Sequence, residues 1–260
     1  MACKVCEQAK ACQSVEEVPK VNGQKRTTVY WAVNEADYLQ WAQRKLLLRS
    51  PVPLAFSRFG IDHGSSRVNT MLKCPAHRAS KQNIYTIPFP TSMDITFDDT
   101  GSILNAGAHK SLIEVYPSVT SRITFNIKFP IIFFSEESVT IEILPPYLHD
   151  PVSAKHGHVA VGSFNIAKWF RPVNFEFVLW PDRKDFVCNE GDPMAYVKFH
   201  AKSPVILKEF KPDQKVFDTT IACSTICSVD SKRSLEYRYD QFKKSGMKKS
   251  LLSSIKAHVL

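Results

Sequence analysis

Two short hooks carry the clearest chemical spacing in this chain. Cys3-x-x-Cys6 is one, and Cys74-Pro75-Ala76-His77 is the other. Zinc takes four nitrogen or sulfur ligands in tetrahedral geometry, and Cys3, Cys6, Cys74 and His77 would supply them, with Cys12 as a substitute ligand. Zinc is therefore the cofactor to test for. The gap between the hooks is far longer than in compact zinc fingers, and an arm with free thiols beside a buried Cys74 is the competing account. A second metal set is His149, His156 and His158. Histidines one residue apart on a strand project to the same side, as non-haem iron and cupin-type sites require. Such a set would make the chain a metal-dependent jelly-roll enzyme. No carboxylate follows between Val159 and Ile166, and His200 stands in a different context, so loop histidines in water compete with the metal reading.

Nucleophile chemistry finds no footing. There is no Gly-x-Ser-x-Gly elbow and no glycine-rich phosphate loop. The nine glycines are better placed in turns, so no residue is assigned a catalytic role. Cys223 and Cys227 would share a face of a helix, where small buried thiols are ordinary. Two groups suit partner binding. Trp169 and Arg171, with Trp180 nearby, combine aromatic faces with positive charge. Lys243, Lys244, Lys248 and Lys249 lie in a C-terminal stretch where basic residues far outnumber Asp230, Glu236 and Asp240. A basic tail of this kind suits nucleic acid or an acidic partner, and a solvated helix face is the plain alternative.

The elements that must position these residues are mostly strands. Met93–Asp98, Ile123–Phe129, Val139–Ile143, Phe175–Leu179 and Ala195–Phe199 alternate apolar and polar residues, the mark of one buried and one wet face. Short segments at Ile84–Ile87, Ile103–Asn105, Ile113–Tyr116 and Val205–Phe210 join them. Asp99-Thr100-Gly101-Ser102 reads as a turn, and Gly191-Asp192-Pro193 as a break into a strand, with a positive φ at Gly191. Ser163 to Trp169 suits a single helical turn. Ala32–Leu48 is expected to be a helix, capped by Asn34 and stopped by Ser50-Pro51-Val52-Pro53. Stripes at Leu235, Tyr239, Phe242 and at Leu251, Leu252, Ile255, Val259 predict two C-terminal helices split at Ser245-Gly246. The division expected is an N-terminal arm over 1–28, a β-rich domain with a leading helix over 29–215, and a basic helical tail over 216–260. The fold class expected is mainly β: an antiparallel sandwich or jelly-roll-like barrel with an N-terminal helix and a C-terminal helical tail.

Composition agrees with a folded chain. Its 260 residues are 44% hydrophobic and 23% charged, with a formal net charge of +9. Apolar runs such as Pro130-Ile131-Ile132-Phe133-Phe134 are far short of a membrane span. No signal peptide is visible, and seven unevenly spaced cysteines suit a reducing compartment.

One resemblance is specific. Cys74-Pro75-Ala76, Asn83, Phe134-Ser135-Glu136-Glu137, Leu144-Pro145-Pro146-Tyr147, Gly162 to Pro172 and Gly191 to Phe199 follow one another in this order. The series resembles an uncharacterised family of tailed-phage proteins over roughly residues 30 to 260, with Trp169-Phe170-Arg171-Pro172 and Gly191-Asp192-Pro193 the most specific blocks. The Cys3-x-x-Cys6 arm lies outside it. The resemblance implies a phage-encoded protein in the virion or the host cytoplasm, with viral or host proteins as partners, and it implies no activity. Three functions follow as expectations: a non-catalytic protein working through protein contacts, a metal-dependent jelly-roll enzyme, and a nucleic-acid-binding protein acting through its basic tail.

Overall fold

The computed structural model describes residues 26–33, 54–55, 75, 80–116, 122–128, 131–168, 170–229 and 235–260. The chain is mainly β, built of several largely antiparallel sheets, and ends in three helices. The strands are β1 (Thr27–Val33), β2 (Leu54–Ala55), β3 (Ile84–Pro88), β4 (Met93–Phe97), β5 (Ile103–Asn105), β6 (Ile113–Tyr116), β7 (Thr124–Ile127) and β8 (Ile131–Ser135). They continue with β9 (Thr140–Leu144), β10 (Gly157–Val159), β11 (Gly162–Asn165), β12 (Phe175–Leu179), β13 (Asp185–Cys188), β14 (Pro193–His200) and β15 (Val205–Glu209). The helices are α1 (Gln214–Val229), α2 (Leu235–Lys244) and α3 (Met247–Ala257). The sheets run β15-β1-β8, β10-β12-β7-β6, β11-β9-β14-β3-β2 and β13-β4-β5. The pairing of β1 with β15 is parallel. Among the described residues, no helix is long and apolar enough to cross a membrane.

The alternating segments became strands with one face in a common core, but β7 and β14 lack the expected wet face: Asn126 in β7 and the neighbours Ala195 and Tyr196 in β14 are all buried. Phenylalanines hold the sheets together there. Phe125 of β7 stacks on Phe177 of β12 at 5.6 Å, and both meet Phe186 of β13 edge-on, at 5.1 and 5.0 Å. Phe97 of β4 approaches Phe125 at 5.2 Å. Such offset and edge-on pairs satisfy the ring quadrupoles while burying large apolar area.

In the β1–β8 ladder both faces are buried. Val29, Trp31, Ile131 and Phe133 enter the main core. Their neighbours Tyr30, Ala32, Ile132 and Phe134 point the other way into a second core, closed by Val216, Phe242, Leu251 and Ile255 of the three helices. Phe170 belongs to this second core and meets Phe134 edge-on at 5.5 Å. The C-terminal helices are therefore docked on a sheet. Asp213 caps α1 by accepting the Val216 amide at 2.9 Å, and its other oxygen bonds Ser254 of α3. Leu260 N–H donates to Glu209 carbonyl at 3.0 Å, which ties residue 260 to β15.

Several expectations need correction. Ala32 and Val33, read as the start of a helix, belong to β1; residues 34–48 of that helix lie outside the described residues. Thr27 and Thr28, assigned to the arm, also belong to β1, and the first tail helix begins at Gln214. Ser163 to Asn165, the first part of the expected helical turn, belong to strand β11, with only Ile166–Lys168 turning among the described residues. The split at Ser245-Gly246 is as expected, and so is the positive φ of Gly191, at 83°.

Phe133→Ala and Phe134→Ala should each destabilise the protein by about 3 to 5 kcal/mol, because neighbouring residues fill opposite cores. Urea unfolding measures both. A strand with one wet face would instead show a cost below about 0.5 kcal/mol for one of the pair.

Candidate functional site

Beyond β9 the chain runs Pro145-Pro146-Tyr147-Leu148-His149-Asp150-Pro151 and then makes a 3-10 turn at Val152–Lys155. Prolines cannot donate to a ladder and they restrict φ, so this segment leaves the sheet and stands as a stiff wall. Tyr196, on β14, secures it from below. Its ring is fully buried, and its hydroxyl bonds His149 Nδ1 and accepts the Leu148 amide at 3.3 Å. A buried phenol needs such partners, and meeting them draws the loop onto the sheet. Burial pushes the Tyr196 phenol well above its ordinary pKa, so it stays protonated.

Between this loop and strands β10 and β12 lies a cavity of about 350 Å³. Pro145, Pro146, Tyr147 and Pro151 come from the loop, and the buried Val159, Phe177 and Met194 supply apolar surface beneath. Trp180, 40% exposed, is stacked on His158 with ring centroids 4.8 Å apart, and its indole N–H donates to the Ala154 carbonyl at 3.0 Å. Both ring contacts fix the indole in place. Gly157 makes the approach possible: a Cβ there would lie 2.4 Å from the Val178 carbonyl oxygen. Only glycine lets β10 come so close to β12.

The cavity lining contains no Lys, Arg, Asp or Glu. Two histidines face it, His149 and His158. Burial holds both imidazoles below histidine's ordinary pKa, and the Arg122 charge adds to the effect on His158. The His158 Nδ1 atom is enclosed and has no hydrogen-bond partner among the described residues. The site is thus an aromatic-walled cleft without charged side chains, whose polar side chains include His149, His158, Ser153 and Tyr147. It suits an uncharged apolar or aromatic group.

The sequence-derived sites fare unevenly. Cys3, Cys6, Cys74, His77 and Trp169 lie outside the described residues. The set His149, His156 and His158 is not a ligand triad. His149 and His158 share the cleft, whereas His156 Nδ1 is turned to Asp185, 3.0 Å from Oδ2 and 3.1 Å from the carbonyl. Nor do three or more His, Cys, Asp or Glu gather for a metal anywhere among the described residues. The reason is that His156 sits at the end of the 3-10 turn and His158 on β10, so their two-residue spacing is not that of one strand. Arg171 is half-buried beside Pro172, which bridges to Ile132. Lys243, Lys244 and Lys249 are exposed, and Lys248 is partly covered. The Lys248 ammonium donates to the Glu136 carbonyl at 2.8 Å, and Lys256 pairs with the Glu136 carboxylate at 2.8 Å. Cys188 is buried near an open hollow by β4 and β5, and burial pushes its thiol up to about 12, too high for a nucleophile at neutral pH. Trp180 and Tyr147 were not singled out together from sequence; the only local signal was Pro145-Pro146-Tyr147, which leaves a strand with an aromatic at its tip.

Two outcomes test this geometry. Gly157→Ala should displace β10 and cost at least about 1 to 3 kcal/mol, seen in thermal unfolding. For pH, the folded state holds His149 and His158 below their unfolded values, so the unfolded chain binds more protons as pH falls. Their contribution is complete above the ordinary histidine range and declines as pH drops below it. His158→Phe keeps a ring on Trp180 and removes one titration, so it should lose less stability than the parent between neutral and mildly acid pH. The chain matches no family model, no curated protein and no solved structure.

Proposed function

We propose that this chain is a non-catalytic, phage-encoded protein that acts through protein contacts, in the virion or on the host. In this reading the cleft receives an apolar or aromatic side chain of its partner. The observation that carries it is the uncharged cleft with Trp180 and Tyr147 exposed at its mouth. Trp and Tyr are enriched where interfaces concentrate their binding energy, because each offers a large rigid surface at low entropic cost. Two of the blocks that carry the phage resemblance also meet at this place. Leu144-Pro145-Pro146-Tyr147 forms its loop wall, and Gly191 to Phe199 brings in Met194 and the Tyr196 anchor. The sandwich or jelly-roll-like arrangement belongs to the same reading, supported by the phenylalanine cluster that joins β4, β7, β12 and β13.

A photo-crosslinking residue placed at Trp180 should give an adduct with one defined virion or host protein when the phage grows. Placed at Leu104, which is 66% exposed and away from the cleft lining, it should not. Trp180→Asp should weaken binding to that protein by about thirtyfold, or about 2 kcal/mol. Equal adducts from both positions, or none from either, would overturn the reading.

A further inference from the structure

We propose that the turn joining α2 to α3 is a phosphate-binding surface that takes the backbone of a nucleic acid. The segment Lys243-Lys244-Ser245-Gly246-Met247-Lys248-Lys249 carries four lysines and no acidic residue. Gly246, at φ 72°, folds it so that the last turn of α2 is followed at once by the first turn of α3. Six lysines and arginines stand against Glu236 and Asp240 between residues 235 and 260. The first turn of α3 likewise holds no acidic residue, although a carboxylate there would be favoured by the helix dipole.

The neighbouring charges have been sorted by the fold. Glu136, just beyond β8, engages Lys248 through its carbonyl and Lys256 through its carboxylate. Lys243, Lys244 and Lys249 remain exposed and form no ion pair among the described residues. Burial lowers the Lys248 pKa, Glu136 opposes that, and the charge on Lys243 lowers it further. A surface that keeps like charges together gains free energy when a polyanion neutralises them and its counterions are released.

Membrane lipid fits less well. An interfacial helix needs a free apolar face. Here Phe242 of α2 and Leu251 and Ile255 of α3 are already buried against β1 and β8. The lysines are point charges on an exposed turn. That arrangement suits the regular phosphates of a nucleic acid, bound without base readout, better than one particular acidic peptide. This turn shares no residue with the cleft, and salt-dependent DNA binding reads it independently of the cleft's crosslinking.

The test is fluorescence anisotropy of the full chain with a labelled DNA single strand of roughly 30 nucleotides, titrated across salt concentrations. Binding should weaken with salt with a log–log slope of about −2, as three lysines meeting the phosphates of a single strand require. Changing Lys243→Gln, Lys244→Gln and Lys249→Gln together should bring the slope near zero and weaken binding at least about tenfold at low salt. All three side chains are exposed, and an unchanged unfolding transition would show that the fold is kept. The triple variant binding as the parent does would overturn the proposal. So would polyglutamate competing as well as DNA at equal charge, which assigns the surface to an acidic protein. Binding to anionic vesicles but not to DNA would overturn it in favour of lipid.

Discussion

The burial of the β1–β8 ladder on both faces is the constraint on which the rest depends. Ile131 and Phe133 face the main core, and Ile132 and Phe134 face the helices. A sheet with two apolar faces must be covered twice, and the three C-terminal helices provide the second cover. Phe170 fills the same layer from the Trp-Phe-Arg-Pro block, and Pro172 bridges to Ile132 beside it. The tail is therefore part of the packed structure. Its positive surface is held at a set place by Glu136, which follows directly on β8.

The cleft depends on the other side of this frame. β14 lies between β9 and β3, buried along most of its length, and it offers Tyr196 to the loop that follows β9. One hydroxyl organises Leu148 and His149, and stiff prolines carry the wall outward from there. On the opposite wall, Gly157 lets β10 close against β12 and brings His158 to Trp180. The two walls come from separate sheets, so the cavity exists only while both are packed on the phenylalanine core.

The two candidate surfaces have opposite chemistry. The cleft is neutral, since burial disfavours the charged form of its histidines. The α2–α3 turn is charged and wet. They suit different partners: an apolar anchor would enter the first by desolvation, whereas phosphates would be drawn to the second by long-range attraction that salt screens.

Sequence by itself determined the mainly β class, most of the alternating strands, the turn at Gly191 and the two final helices. Each depends on local pattern: period two for a half-wet strand, a three-to-four stripe for a helix, and φ freedom at glycine. β1 and β8 were not legible as strands, because double-faced burial replaces alternation with a continuous apolar run. Thr27 and Thr28 read as arm, Ala32 and Val33 as a helix start, and Ile131 to Phe134 as an apolar run. The histidine triad failed for a related reason: spacing along the chain does not say where a 3-10 turn gives way to a strand. Tertiary structure alone decided that His149 and His158 share a cleft, that His156 turns to Asp185, and that Glu136 leaves three lysines exposed. Those outcomes rest on contacts between residues far apart in sequence, formed where sheets and helices exclude water, and no local pattern encodes them.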